Sequence, residues 1–161
     1  MMKRYVSALV IALTACTQPA DKAADAPPAD AASPVDPAIA AVVQAAMPGV
    51  IITAGAANGG GEYEVTGMAN GEEYEFDLMG PEGGWRVVEI QRDIAWGDAP
   101  AAVRDVVATA PNGFLPERVI ESRQAADGSV VYELFAEGAP EAPALEVRFL
   151  DGQAAIMPPP H

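Results

Sequence analysis

The chain predicts an α+β fold built from two tandem helix-plus-antiparallel-meander units, with one helix packed on one face of each sheet. Three observations predict it. A helical spacing of apolar residues occurs twice, 64 residues apart, and alternating strand-like segments follow each copy. Asn-Gly and Asp-Gly dipeptides, strong hairpin signals, separate several of those segments.

The first helix is expected to start at Asp36-Pro37, with Asp as N-cap and Pro in the first turn. Ile39, Val42, Val43 and Ala46 fall at i, i+3, i+4 and i+7, one face of an amphipathic helix. Met47-Pro48-Gly49 ends it for steric reasons. Alternation then marks Glu62-Tyr63-Glu64-Val65 and Glu73-Tyr74-Glu75-Phe76 as strands, turned at Asn70-Gly71. A further strand, Trp85 to Ile94, leads to the second helix. There Asp98 and Pro100 are read as the opening, Val103, Val106, Val107 and Ala110 as the apolar face, and Pro111-Asn112-Gly113 as the stop. Val131-Tyr132-Glu133-Leu134 and Glu146-Val147-Arg148-Phe149 repeat the strand pattern, with turns at Asp127-Gly128 and Asp151-Gly152. Tyr63 and Tyr132 correspond at an offset of 69, and Phe76 and Phe149 at 73, a drift that loop insertions explain. The expected cores combine the helix residues with Tyr63, Val65, Tyr74, Phe76, Tyr132, Leu134, Val147 and Phe149. Trp85 and Trp96 are expected at the seam between the units, with exposed aromatic anchors as the alternative.

The N-terminus carries an address. Lys3 and Arg4 precede a short apolar run, which closes in Leu13-Thr14-Ala15-Cys16 around the only cysteine. A basic start, an apolar stretch and small residues at a cut site form an export signal. The run is too short to span a bilayer, which takes about 20 apolar residues. The tetrapeptide resembles the lipobox of bacterial lipoproteins, in which the cysteine is lipidated and becomes the mature N-terminus. That resemblance makes Cys16 the lipidation site. With Thr17 in place of the Asp that retains such proteins at the inner membrane, it implies an outer-membrane anchor facing the periplasm. Five segments follow: signal peptide 1–15, lipidated cysteine and Ala/Asp/Pro tether 16–35, first unit 36–97, second unit 98–157, and a Pro-rich tail 158–161. The tether lacks the apolar residues needed to fold and spans about 25 Å as a flexible chain.

Composition narrows the chemistry. Cleavage would remove two basic residues and no acid, leaving 7 basic against 23 acidic residues and a net charge of −16. Such a surface repels phosphate backbones and anionic headgroups, so no nucleic-acid partner is expected. The sole histidine, His161, sits at a terminus that cannot hold a general base in place. Ser122 and Ser129 are placed near surface strand ends, and no Gly-x-Ser-x-Gly elbow accompanies them. Zinc and redox metals lack their ligands, and no calcium loop is present. Gly59-Gly60-Gly61 reads as a hairpin loop, without the Lys and Ser/Thr of a phosphate cradle. No catalytic residue, no metal ligand and no cofactor is therefore expected, and the chain is read as a non-enzyme.

The helix led by Pro100-Ala101-Ala102-Val103, its Pro-Asn-Gly or Pro-Gly stop, the Tyr-Glu strand and the strand ending in Phe before Asp-Gly resemble PepSY-like domains. The resemblance covers about residues 36 to 157 as two tandem units. It departs from the pattern at Asn58 to Gly61 and Gly80 to Gly84, where longer loops interrupt the first unit. It implies a non-catalytic envelope protein that binds or inhibits a protease, and it transfers no catalytic motif.

The candidate binding face is read from the residues. Period-two geometry puts Glu73, Glu75 and Asp77 on one sheet face, and the neighbouring strand adds Glu62 and Glu64. Five carboxylates on one face carry a repulsive cost. They suit a basic docking partner, a weak divalent-cation site, or a merely solvated surface. The leading expectation is a lipid-anchored periplasmic binding module acting on an unidentified envelope protein, through the acidic face or an exposed sheet edge. The alternatives are a structural or assembly lipoprotein tethering an outer-membrane complex, and weak calcium-dependent binding.

Overall fold

The computed structural model describes residues 35–80, 84–110, 114–138 and 141–158. The signal, Cys16, most of the tether, Pro111 to Gly113 and His161 lie outside the described residues. The order is α1 (Pro37–Ala46), β1 (Ile51–Gly59), β2 (Glu62–Ala69), β3 (Glu72–Met79), β4 (Arg86–Ile94), a 3₁₀ turn (Trp96–Asp98), α2 (Ala101–Thr109), β5 (Arg118–Gln124), β6 (Val130–Phe135), β7 (Leu145–Leu150) and β8 (Gln153–Ile156).

The eight described strands form one antiparallel sheet in sequence order, which overturns the two-unit expectation. The decisive contact is β4 with β5, registered from Glu89↔Gln124 to Ile94↔Val119. Two separate meanders would leave β4 and β5 as edges with unpaired N–H and C=O groups. Pairing them removes both edges, and α2 lies on the sheet face within the connection. No described helix is long and apolar enough to cross a membrane.

Local chemistry explains most elements. The Asp36 carboxylate accepts a hydrogen bond from the Ala38 N–H at 2.7 Å, capping α1. Gly49, at φ +88°, turns the chain out of the helix. Asn70-Gly71 and Asp151-Gly152 all have positive φ, the geometry of a tight type I′ hairpin. Asp98 proves not to be the second cap. It closes the 3₁₀ turn, while Pro100 occupies the N-cap of α2 and supplies no side-chain acceptor.

Both helices lie on the same side of the sheet. Ile90 and Ile94, four residues apart on β4, share a face yet pack into different apolar clusters. Ile39 and Val43 of α1 cover Val65, Tyr74, Phe76 and Leu78. Val103 and Val107 of α2 cover Val119, Tyr132, Leu134 and Val147. Tyr63 and Phe149 are only partly buried at the cluster edges. The tryptophans are not seam residues. Trp85 meets Tyr63 edge-on at 5.8 Å in the first cluster, and Trp96 packs against the second.

Candidate functional site

Between the two clusters, the helix side of the sheet carries a charged bridge. Arg92 reaches Glu72 at 2.7 Å and Glu121 at 3.1 Å, and Arg123 adds a 2.8 Å contact to Glu121. Tyr74 donates its hydroxyl to Glu72 at 3.0 Å and lies under the Arg92 guanidinium. Glu72 is held below the usual glutamate range, first by the Tyr74 hydrogen bond and then by Arg92. The Tyr132 phenol rises to about 12 through burial and the neighbouring Glu121 charge. Every carboxylate of this bridge has a guanidinium partner.

Among the described residues no helix covers the opposite face, and there the register collects carboxylates. Glu64 on β2 stands opposite Asp77 on β3, which stands opposite Glu89 on β4. Thr66, Glu75, Gln91 and Ser122 form the next row across four strands, and Met68 faces Glu73. All five residues expected on the acidic face, Glu62, Glu64, Glu73, Glu75 and Asp77, share it. Glu89, Glu133 and Glu146 belong to the same surface, with Glu133 opposite Glu146 on β6 and β7.

Oxygen atoms of Glu64, Glu75 and Asp77 lie within 4.8 Å of one another. Among the described residues, no guanidinium reaches any of these three within ion-pair distance. Arg118 pairs instead with Asp93 at 2.7 Å, and Arg148 with Asp127 at 2.7 Å. Relief of the repulsion is therefore partial: Gln91 donates to Asp77 at 3.2 Å.

These groups are half-buried, where a merely solvated surface would leave them open. Burial, then repulsion from Glu64 and Asp77, pushes the Glu75 carboxyl up. Asp77 is pushed up by burial, then by Glu89, Glu64 and Glu62. Glu133 follows for the same reason, with Glu89 and Glu146 as its neighbours. Ser122 corrects another expectation, since it is wholly buried in mid-strand. It donates to the Glu89 carboxylate and accepts from Gln124 at 2.9 Å. Ser129 is buried as well, at the turn, where its N–H bonds Asp127 at 2.9 Å.

At one end of the face, β3 and β4 stop pairing beyond Glu75↔Gln91. A notch opens there, lined by Glu73, Glu75 and Asp93 together with Arg92 and Arg118. Sequence patterning located the β2–β3 carboxylates but missed Glu89, Glu133 and Asp93. Their membership depends on pairing between strands distant in sequence, although Glu133 and Glu89 do sit at alternating positions that signal a strand face.

Comparison with protein-family models, with curated proteins and with solved structures finds no match. The site must speak through its own chemistry.

Proposed function

We propose that the chain is a non-catalytic binding protein of the bacterial envelope, held by a lipid on Cys16, whose helix-free sheet face docks a basic partner protein. The observation that supports this most is the contrast in ion pairing. The guanidinium groups between the clusters neutralise Glu72 and Glu121, while Glu64, Glu75 and Asp77 stand together without one among the described residues. Like charges directly opposite one another across strands destabilise a sheet, and a partner's Lys or Arg would supply the missing counter-charge. Electrostatic complementarity of this kind raises association rates and sets register. Inhibition of an envelope protease is one form that such binding would take.

The test compares wild type with a Glu64→Gln, Glu75→Gln, Asp77→Asn variant, both expressed with the native N-terminus. The partner captured by crosslinking in cells should be lost from the variant while its circular dichroism is unchanged. Unchanged capture by the variant would refute the reading. Capture of membrane machinery in place of a protease would favour the assembly role. The carboxylate spacing also supports a second reading, weak calcium binding. That reading requires added calcium to raise the melting temperature of wild type and leave the variant unmoved.

A further inference from the structure

The two edges of the sheet are unlike. β8 has four residues, α2 packs beside it, and Pro158 soon follows without an N–H to offer. β1 at the other edge has nine residues, Ile51 to Gly59, with no proline and no charge. Ile51 is 70% exposed. Exposed edges are ordinarily guarded by charged side chains, by proline or by bulges. Here only irregularities near Thr53 and Asn58 interrupt the strand, and Ala54 to Ala57 pair regularly with β2 between them.

The lack of charge extends well beyond β1. From Pro37 to Gly61 no Asp, Glu, Lys or Arg occurs, in a chain that is 20% charged and carries −14 overall. The exposed residues of α1 within that window are Pro37, Ala38, Ala41, Gln44, Ala45 and Ala46. Two copies of so acidic a molecule repel one another over most of their surface. They approach with least repulsion along this neutral margin. A basic partner, by contrast, gains no attraction from it.

We infer that β1 is the interface between two copies of this chain, paired antiparallel about a two-fold axis to make one sixteen-stranded sheet. Two-fold pairing uses the same strand from each copy and closes on itself. Pairing of β1 with β8 would instead repeat head to tail as a filament, and the short β8 edge with its proline discourages it. The assembly therefore stops at two. It leaves both acidic faces uncovered, so this inference is independent of the docking proposed for them.

Sedimentation velocity of the full chain in mild detergent tests it across a range of concentrations. Wild type should dimerise, and Ala56→Lys, an exposed change on the edge, should weaken dimerisation at least tenfold. Ala108→Lys, the same charge change on the outer side of α2, should leave it intact. Independently, amides of Ala54 to Ala57 should exchange more slowly at concentrations where wild type is dimeric. Wild type that stays monomeric throughout, a dimer insensitive to Ala56→Lys, or β1 amides unprotected in the dimer would each overturn the inference.

Discussion

The two faces of the sheet handle their half-buried carboxylates in opposite ways. On the helix side, Glu121 is nearly enclosed, at 13% side-chain exposure, and both Arg92 and Arg123 contact it. On the open side, Glu75 and Asp77 are half-buried and contact no guanidinium among the described residues. A buried charge without a partner is costly, so the enclosed carboxylate must be neutralised from within the fold. A half-buried carboxylate on an accessible face can remain ionised and wait for a counter-charge from outside. The difference separates charge neutralised within the fold from charge left open to a counter-charge from outside it.

The strongest perturbation lies beneath both faces. Phe76→Ala removes a fully buried ring and should cost about 3–5 kcal/mol in urea unfolding. Trp85 and Trp96 report the first and second apolar clusters, so single-tryptophan variants can follow each cluster separately. With one continuous sheet, Phe76→Ala should shift both transitions together. A shift confined to the Trp85 transition would restore independent halves and make the β4–β5 pairing energetically irrelevant.

Arg92→Met should come next, at roughly 1–3 kcal/mol, because it leaves the enclosed Glu121 with Arg123 alone. On the open face the sign reverses. Glu75→Gln should raise stability by about 0.2–1 kcal/mol by removing cross-strand repulsion, readable as an increase in the urea midpoint. If Glu75→Gln destabilises the protein instead, the open-face carboxylates are structural and the contrast fails.

The pH dependence sharpens the same contrast. Glu75, Asp77 and Glu133 have folded values raised by burial and mutual repulsion. Each binds its proton more readily when folded, so its contribution is full below the unfolded value and lost as pH rises through the folded one. Acidification from neutrality towards the ordinary glutamate value of 4.5 should therefore raise the melting temperature. Glu72 and Asp127 have lowered values, and their contributions disappear as pH falls through those lower folded values. A stability maximum on the mildly acidic side is expected, and a melting temperature that falls steadily from neutrality would contradict it.

Much of this arrangement was legible in the chain. The cap at Asp36, the spacing of Ile39 and Val43, the hairpin dipeptides and the alternation around Tyr74 and Phe76 are local signals, and they yielded the right elements. The acidic face was legible because Glu73, Glu75 and Asp77 alternate along one strand. β1 was not, since Ile51 to Gly59 is mostly alanine and glycine and has no polar face to alternate with. β5 was hidden for the opposite reason. Glu121 and Arg123 point to the helix side, into the charged gap between the clusters, while Ile120 points to the open side. Its inside therefore looks like an outside. With β5 unread, the β4–β5 junction could not be seen, and the repeated helices suggested two bodies where there is one sheet. The half-burial of Glu75 and Asp77 was likewise invisible, because it arises from neighbours on other strands.

The most direct test of the docking face is crosslinking in cells from a photoreactive residue at Met68, beside Glu73 on the open face, compared with one at Ala108 on the outer side of α2. The account predicts that the Met68 probe captures a discrete basic protein and that Glu64→Gln, Glu75→Gln, Asp77→Asn abolishes the adduct, while the Ala108 probe does not capture it. Equal adducts from both positions, or an adduct that survives the three substitutions, would contradict it.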